Sequence, residues 1–127
     1  MDPLAETLTW PFFEERHRAF AAEVAAFAAE RAGALSDHHD VDGSCRALVK
    51  AMGEAGLLAP TVPLDGPLDV RTLCLARETL ARASGLADFA FAMQGLGSGP
   101  ISIAGTEAQR ARYLPKLKAG EMIAAFA

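Results

Sequence analysis

The 127-residue sequence has little of what builds sheets or cross-linked scaffolds, with one Tyr, one Trp and two Cys. Val and Ile are few as well, and the apolar share leans on Ala and Leu. That balance favours helix over sheet. Cys45 and Cys74 stand far apart in no metal-ligand spacing, which excludes a disulfide framework and leaves two free thiols. Basic residues are also in short supply. The net charge is -4, and the Lys and Arg residues are interspersed with acidic ones, which excludes a general nucleic-acid surface. The N-terminal MDPLAETLTWPFFEER has neither the basic start nor the apolar core of a signal peptide. One uncharged stretch, Phe89 to Thr106, is long enough to suggest a membrane span. It holds Gln94, two serines, Pro100 and several glycines, so no membrane contact is expected and the location implied is cytoplasmic.

What remains is a series of helical patterns. Thr9 is a candidate N-cap, with Pro11 in the first turn and Glu14 and Glu15 behind it. Phe13, His17, Phe20, Val24 and Phe27 then form one stripe of a first helix that Gly33 ends. His17 lies on that stripe and reads as a core or boundary histidine. Ser44 is the expected cap of a second helix, with Cys45, Leu48, Val49 and Met52 on one face and Gly56 as its stop. Leu57 to Pro63 is apolar but broken by proline, and Asp65-Gly66-Pro67 reads as a turn. Asp69 should cap a third helix carrying Leu73, Ala76, Leu80 and Ala83.

A fourth helix is expected from about Leu86 to Gln94, apolar on nearly all sides and so either buried or lining a pocket. Gly95, Gly97 and Gly99 should interrupt it, and Pro100 should restart a short helix over Ile101 to Ala104. Thr106 and Gln109 have the spacing of a capping box, and Pro115 should limit the next helix to about Leu114. After Gly120, Met122 to Ala127 reads as the opening of a β-strand. The fold class expected is all-α, a bundle of about six helices ending in the start of a strand.

Candidate chemistry is scarce. Asp40, Asp42 and Gly43 suit a calcium loop, but His38 would take its first position and Val49 its twelfth, where a bidentate Glu is required. His38 and His39 have no second His or Cys cluster to complete a zinc site. The acidic residues form no catalytic pair, and no Ser-His-Asp spacing occurs. Gly95-Leu96-Gly97-Ser98-Gly99 follows a helix rather than a strand, which excludes the dinucleotide fingerprint.

An ordered set of short motifs is more informative. Glu54-Ala55-Gly56-Leu57-Leu58 closes the second helix, and Ala76-Arg77-Glu78 lies in the third. Gly97-Ser98-Gly99-Pro100-Ile101 follows, then Gly105-Thr106-Glu107-Ala108-Gln109-Arg110, Tyr113-Leu114-Pro115, Gly120-Glu121 and Ala124-Ala125-Phe126-Ala127. Their order resembles the N-terminal helical domain of the acyl-CoA dehydrogenase family over nearly the whole chain. The resemblance implies residues 1–120 as that domain and 121–127 as the start of a middle β-domain, with a Thr-Glu-Pro motif expected after Ala127. It further implies an FAD-dependent α,β-dehydrogenation of an acyl-CoA thioester and an electron-transferring flavoprotein as acceptor. The longer protein would be a homo-oligomer, with the catalytic carboxylate base in a C-terminal domain.

Alignment on Pro100-Ile101 places Asp88, Phe89, Ala92 and Leu96 at the wall and floor of the acyl pocket. Residues 88, 92 and 96 do recur on one helix face. A carboxylate beside a fatty chain is costly unless paired or solvated, so Asp88 either finds a partner or faces water. Phe126 falls where the family places an aromatic against the flavin, and strand core is its other reading. Two alternatives stand beside the dehydrogenase: a flavin monooxygenase or oxidase of the same fold, and a non-catalytic helical interaction module.

Overall fold

The computed structural model describes residues 3–127; Met1 and Asp2 lie outside the described residues. It consists of six α-helices: α1 Pro3–Thr7, α2 Glu15–Phe27, α3 Val41–Glu54, α4 Val70–Ala83, α5 Gly85–Ala104 and α6 Glu107–Lys118. A π-helical turn, Ala28–Ala32, extends α2. Helix α5 is central, packed against α3, α4 and α6, while α2 lies against α4. The main core gathers Val24, Phe27, Leu48, Met52, Leu58, Leu80 and Phe91 between these helices. A smaller cluster of Val62, Leu114 and Leu117 sits under the C-terminal residues. No strand forms among the described residues, and 121–127 runs without regular structure. A strand needs a neighbour for its backbone hydrogen bonds, and none of the described segments offers one.

The helix boundaries correct several expectations, each for a local reason. Thr9 does not cap α2, because its hydroxyl donates back to the Glu6 carbonyl at 2.7 Å and closes α1. Helix α2 starts instead at Glu15, where the Glu14 N–H donates to Nδ1 of His17 at 2.9 Å. Ser44 does not cap α3, since its hydroxyl is engaged with Asp37, accepting from the N–H and donating to the carbonyl. Asp40 takes that role and accepts from the Gly43 N–H at 2.9 Å. The two expected helices on either side of Gly95–Gly99 are one continuous α5. Pro100 and Pro115 both lie inside helices, where each removes the donor to the carbonyl four residues earlier, those of Leu96 and Ala111. Both of these residues are exposed, so water can take the donor's place.

The glycine stops hold. Gly56 at φ 75 and Gly120 at φ 72 terminate α3 and α6 in the left-handed region that an L side chain resists. Each completes a Schellman motif, with Leu57 N–H donating to Met52 O at 2.9 Å and Glu121 N–H to Lys116 O at 3.0 Å. Both cysteines are free, and burial followed by the charge of Asp42 pushes the Cys45 thiol up. No group of three or more potential metal-ligating residues exists among the described residues, and no helix there is long and apolar enough to cross a membrane.

The N-termini of α2 and α4 meet at a polar node. Asp69 caps α4 by accepting from the Thr72 N–H and hydroxyl, pairs with Arg16, and takes a hydrogen bond from Nε2 of His17 at 3.1 Å. His17 is wholly buried, and Nδ1 already accepts from the backbone, so Nε2 carries the proton. Burial raises the Asp69 carboxyl, but the Thr72 hydroxyl, Arg16, the Thr72 N–H and the His17 ring outweigh it and hold it at about 2. Asp69 therefore stabilises the fold fully above its ordinary value of 3.8 and loses that contribution as pH falls through about 2. Urea unfolding between pH 5 and pH 2 should show a smaller loss of stability for Asp69→Asn than for the parent chain. Equal slopes would mean that the node does not form.

Candidate functional site

Only part of the α5 surface is covered by other helices. Ala87, Ala90, Phe91, Gln94 and Ser98 are buried, whereas Phe89 and Leu96 are 53% exposed and Ile103 is 76% exposed. Between α5 and the N-terminal half of α4 lies an open groove of about 580 Å³, within the usual range for small-molecule sites. Leu73 and Arg77 of α4 form one wall, and Ala92, Leu96 and Ile103 of α5 form the floor. Leu68 closes it from the loop before α4, and Phe126 reaches it from the C-terminal segment. Its lining is apolar apart from Arg77 and Thr61.

Arg77 makes a two-point bond to Asp88 across the α4–α5 turn, Nε to Oδ1 at 2.8 Å and Nη2 to Oδ2 at 3.0 Å. That fork geometry is the strong form of a guanidinium–carboxylate pair. The bond to Asp88 pushes Arg77 further above its ordinary value, so it stays charged. The second anchor is Gln94, 1% exposed. Its Nε2 donates to the carbonyls of Leu117 at 2.9 Å and Met122 at 2.7 Å, and its Oε1 accepts from the Ala124 N–H at 3.0 Å. Gln94 thereby ties residues 122–124 to α5 and leads Phe126 to the groove. Gly97 permits the approach, since a Cβ there would stand 2.7 Å from Cβ of Ala124.

Of the residues singled out from the sequence, the structure brings Ala92, Leu96 and Phe126 to one groove. Asp88 and Phe89 are not part of its lining. Asp88 turns its carboxylate to Arg77 at the groove's end, and Phe89 projects largely into solvent. Sequence reasoning missed Leu68, Leu73, Arg77 and Gln94. A signal for Gln94 was present: it is a polar residue in step with Ala87, Ala90, Phe91 and Ser98, the face that turns inward. A residue so placed must find backbone partners. For Arg77 the signal was weaker, an Arg seven residues before the Ser84-Gly85 break and an Asp three residues after it.

The acyl-CoA dehydrogenase N-terminal domain model matches this chain over residues 14–121. The chain belongs to the acyl-CoA dehydrogenase family. It is 40% identical over 94 residues to a probable acyl-CoA dehydrogenase of Bacillus subtilis, which covers 72% of this chain and 16% of that protein. It is 34% identical over 122 residues to a mitochondrial isovaleryl-CoA dehydrogenase of Solanum tuberosum, covering 91% of this chain and 30% of that protein. The chain thus spans less than a third of the length of these curated relatives. Both walls of the groove lie inside the span that matches the family, and Phe126 lies beyond it.

Replacing Gln94 by Leu should release the C-terminal segment while α3, α4 and α5 stay folded. The Met122 carbonyl and the Ala124 N–H lose their partner, at roughly 1 to 3 kcal/mol each where burial persists, while the Leu117 carbonyl keeps the Gly120 N–H, so the segment should detach rather than leave them unpaired. Hydrogen exchange at the Ala124 amide should accelerate at least tenfold in Gln94→Leu, with little change at Leu48 or Leu80. Unchanged Ala124 protection would show that other contacts hold the segment.

Proposed function

We propose that residues 1–120 act as the N-terminal helical domain of an FAD-dependent acyl-CoA dehydrogenase, with 121–127 leading into a middle β-domain. The observation that carries this reading is the apolar groove between α4 and α5, built within the span that matches the family. A groove with so few polar groups suits an aliphatic chain, and each methylene it shields from water contributes about 0.8 kcal/mol. Leu73, Ala92 and Leu96 would hold the acyl chain, and the small side chain of Ala92 leaves room beside Leu73. The groove residues thus bind and orient the substrate and keep water from the bonds to be changed.

Phe126 is 63% exposed beside the groove, and its free aromatic face fits one side of a flat heteroaromatic ring such as the flavin. FAD, when bound, supplies the acceptor for the hydride leaving the β-carbon. The α-proton needs a base, and the groove is lined by no Asp or Glu of the described residues. That role falls to a group outside residues 3–127, in keeping with a C-terminal carboxylate. An electron-transferring flavoprotein as acceptor and assembly into a homo-oligomer belong to the same proposal.

Reading the gene beyond Ala127 tests the domain arrangement: an in-frame continuation into a Thr-Glu-Pro segment is expected, and a stop codon there would overturn it. The polypeptide produced from that gene should purify with FAD absorbance and oxidise an acyl-CoA in the presence of an artificial electron acceptor. Ala92→Trp should lower kcat/KM about tenfold or more by filling the groove, with the flavin spectrum retained.

A further inference from the structure

We infer that the side-chain amide of Gln94 stands in for a neighbouring strand along residues 122–124, and that this segment accepts a second strand only along its other edge, at Ile123 and Ala125. The occupant is a β-strand of the same longer polypeptide from outside residues 3–127, so the inference rests on the domain arrangement proposed above.

The segment already has the side-chain pattern of a strand. Met122 and Ala124 are half-buried against the cluster of Val62, Leu114 and Leu117, whereas Ile123 and Ala125 are exposed. Phe126, next in the same parity as Met122 and Ala124, lines the groove. Such alternation belongs to extended backbone. The backbone groups alternate as well, with residues 122 and 124 facing one edge and 123 and 125 the other. The inner edge is complete. The Met122 N–H donates to the Lys116 carbonyl at 3.2 Å, and the Met122 carbonyl accepts from Nε2 of Gln94 at 2.7 Å. The Ala124 N–H donates to Oε1 of Gln94 at 3.0 Å. One amide that serves the carbonyl before Ile123 and the N–H after it reproduces the bonds of a residue in a parallel neighbour. It also fixes the register, because a slip by one residue would bring Ala125 or Ala127 to the groove in place of Phe126.

The outer edge is open. Among the described residues, nothing meets the N–H or carbonyl of Ile123 or Ala125, and Ile123 is 45% exposed. Unpaired donors and acceptors in a row are a template for strand addition. The side facing α5 is closed to an incoming strand, since even a Cβ at Gly97 would stand 2.7 Å from Cβ of Ala124. The described residues before this segment form helices and their connections, and none of them offers a strand. The curated relatives extend far beyond the matched span, which is where such a strand would come from.

Amide exchange, read by fragmentation mass spectrometry, tests both edges in this chain alone and in the longer polypeptide of its gene. In the chain alone, Met122 and Ala124 should exchange slowly, and Ile123 and Ala125 about as fast as an unstructured peptide. In the longer polypeptide Ile123 and Ala125 should slow by about a hundredfold or more. Gln94→Leu in the longer polypeptide should speed Ala124 by about tenfold while Ile123 and Ala125 stay slow, since their partner is the added strand. Unchanged exchange at Leu48 and Leu80 checks that each variant is folded. Fast exchange at Ile123 and Ala125 in the longer polypeptide overturns the inference, as does one common acceleration of all three amides in Gln94→Leu. Slowing of Ile123 and Ala125 in the chain alone that grows with concentration, with a dimer in sedimentation, overturns it in favour of a second copy. Flavin absorbance of the same preparation separates the two readings. Bound flavin with fast Ile123 and Ala125 sinks this inference alone, and slow amides without flavin sink the dehydrogenase reading alone. A stop codon after Ala127 removes both.

Discussion

Helix α5 carries apolar side chains on nearly every side, and the rest of the molecule is arranged to cover as much of it as three helices can. Phe91, Ala87 and Ala90 are enclosed by α3 and α4, and α6 comes alongside the C-terminal half. The side bearing Ala92, Leu96 and Ile103 has no helix over it and becomes the floor of the groove. A helix with this pattern requires either a partner or a ligand. The same surplus of apolar surface that secures the core thus also supplies the candidate site.

Two features keep that surplus from being wasted on collapse. Gly95 and Gly97 allow the Thr61 region and the Ala124–Ala125 backbone to come within contact distance of the α5 backbone, where larger residues would hold them off. Gln94 then gives the approaching C-terminal segment a fixed register through three hydrogen bonds. The glycines that read as helix breakers in the sequence are close-approach positions inside an intact helix. Propensity disfavours glycine there by about 1 kcal/mol relative to alanine, and packing on both flanks offsets it.

The legible parts of the fold were those set by periodicity or by capping chemistry within a few residues. The α2 stripe from His17 to Phe27, the Asp69 cap, the Thr106–Gln109 capping box and the Gly56 and Gly120 stops are all of this kind. The helix starts at Glu15 and Val41 were not legible. Thr9 and Ser44 are good caps by composition, yet their hydroxyls are taken by Glu6 and Asp37. Competition between nearby acceptors is decided by backbone geometry that the residue order does not reveal. For the site, the face of α5 could be read at i, i+4 spacing, which places Ala92 and Leu96 together. The facing wall could not, because that depends on Leu73 and Arg77, residues of another helix.

Asp88 shows how these levels interact. It occupies the first turn of α5, where a carboxylate favours the helix dipole, and it lies on the same helical face as Ala92 and Leu96. Left unpaired at an apolar site it would be costly, and α4 meets that cost with Arg77. The pair is half-exposed, so its direct contribution to stability is small, of order 1 kcal/mol or less. Its consequence is geometric. Helix α4 is held at its N-terminus by the Asp69 node with Arg16 and His17, and two turns on by Arg77 against α5. Leu73 lies between these two attachments, and both are charge-assisted and directional. The wall of the groove is therefore fixed by polar contacts at its two ends, while the groove between them is left almost free of polar groups.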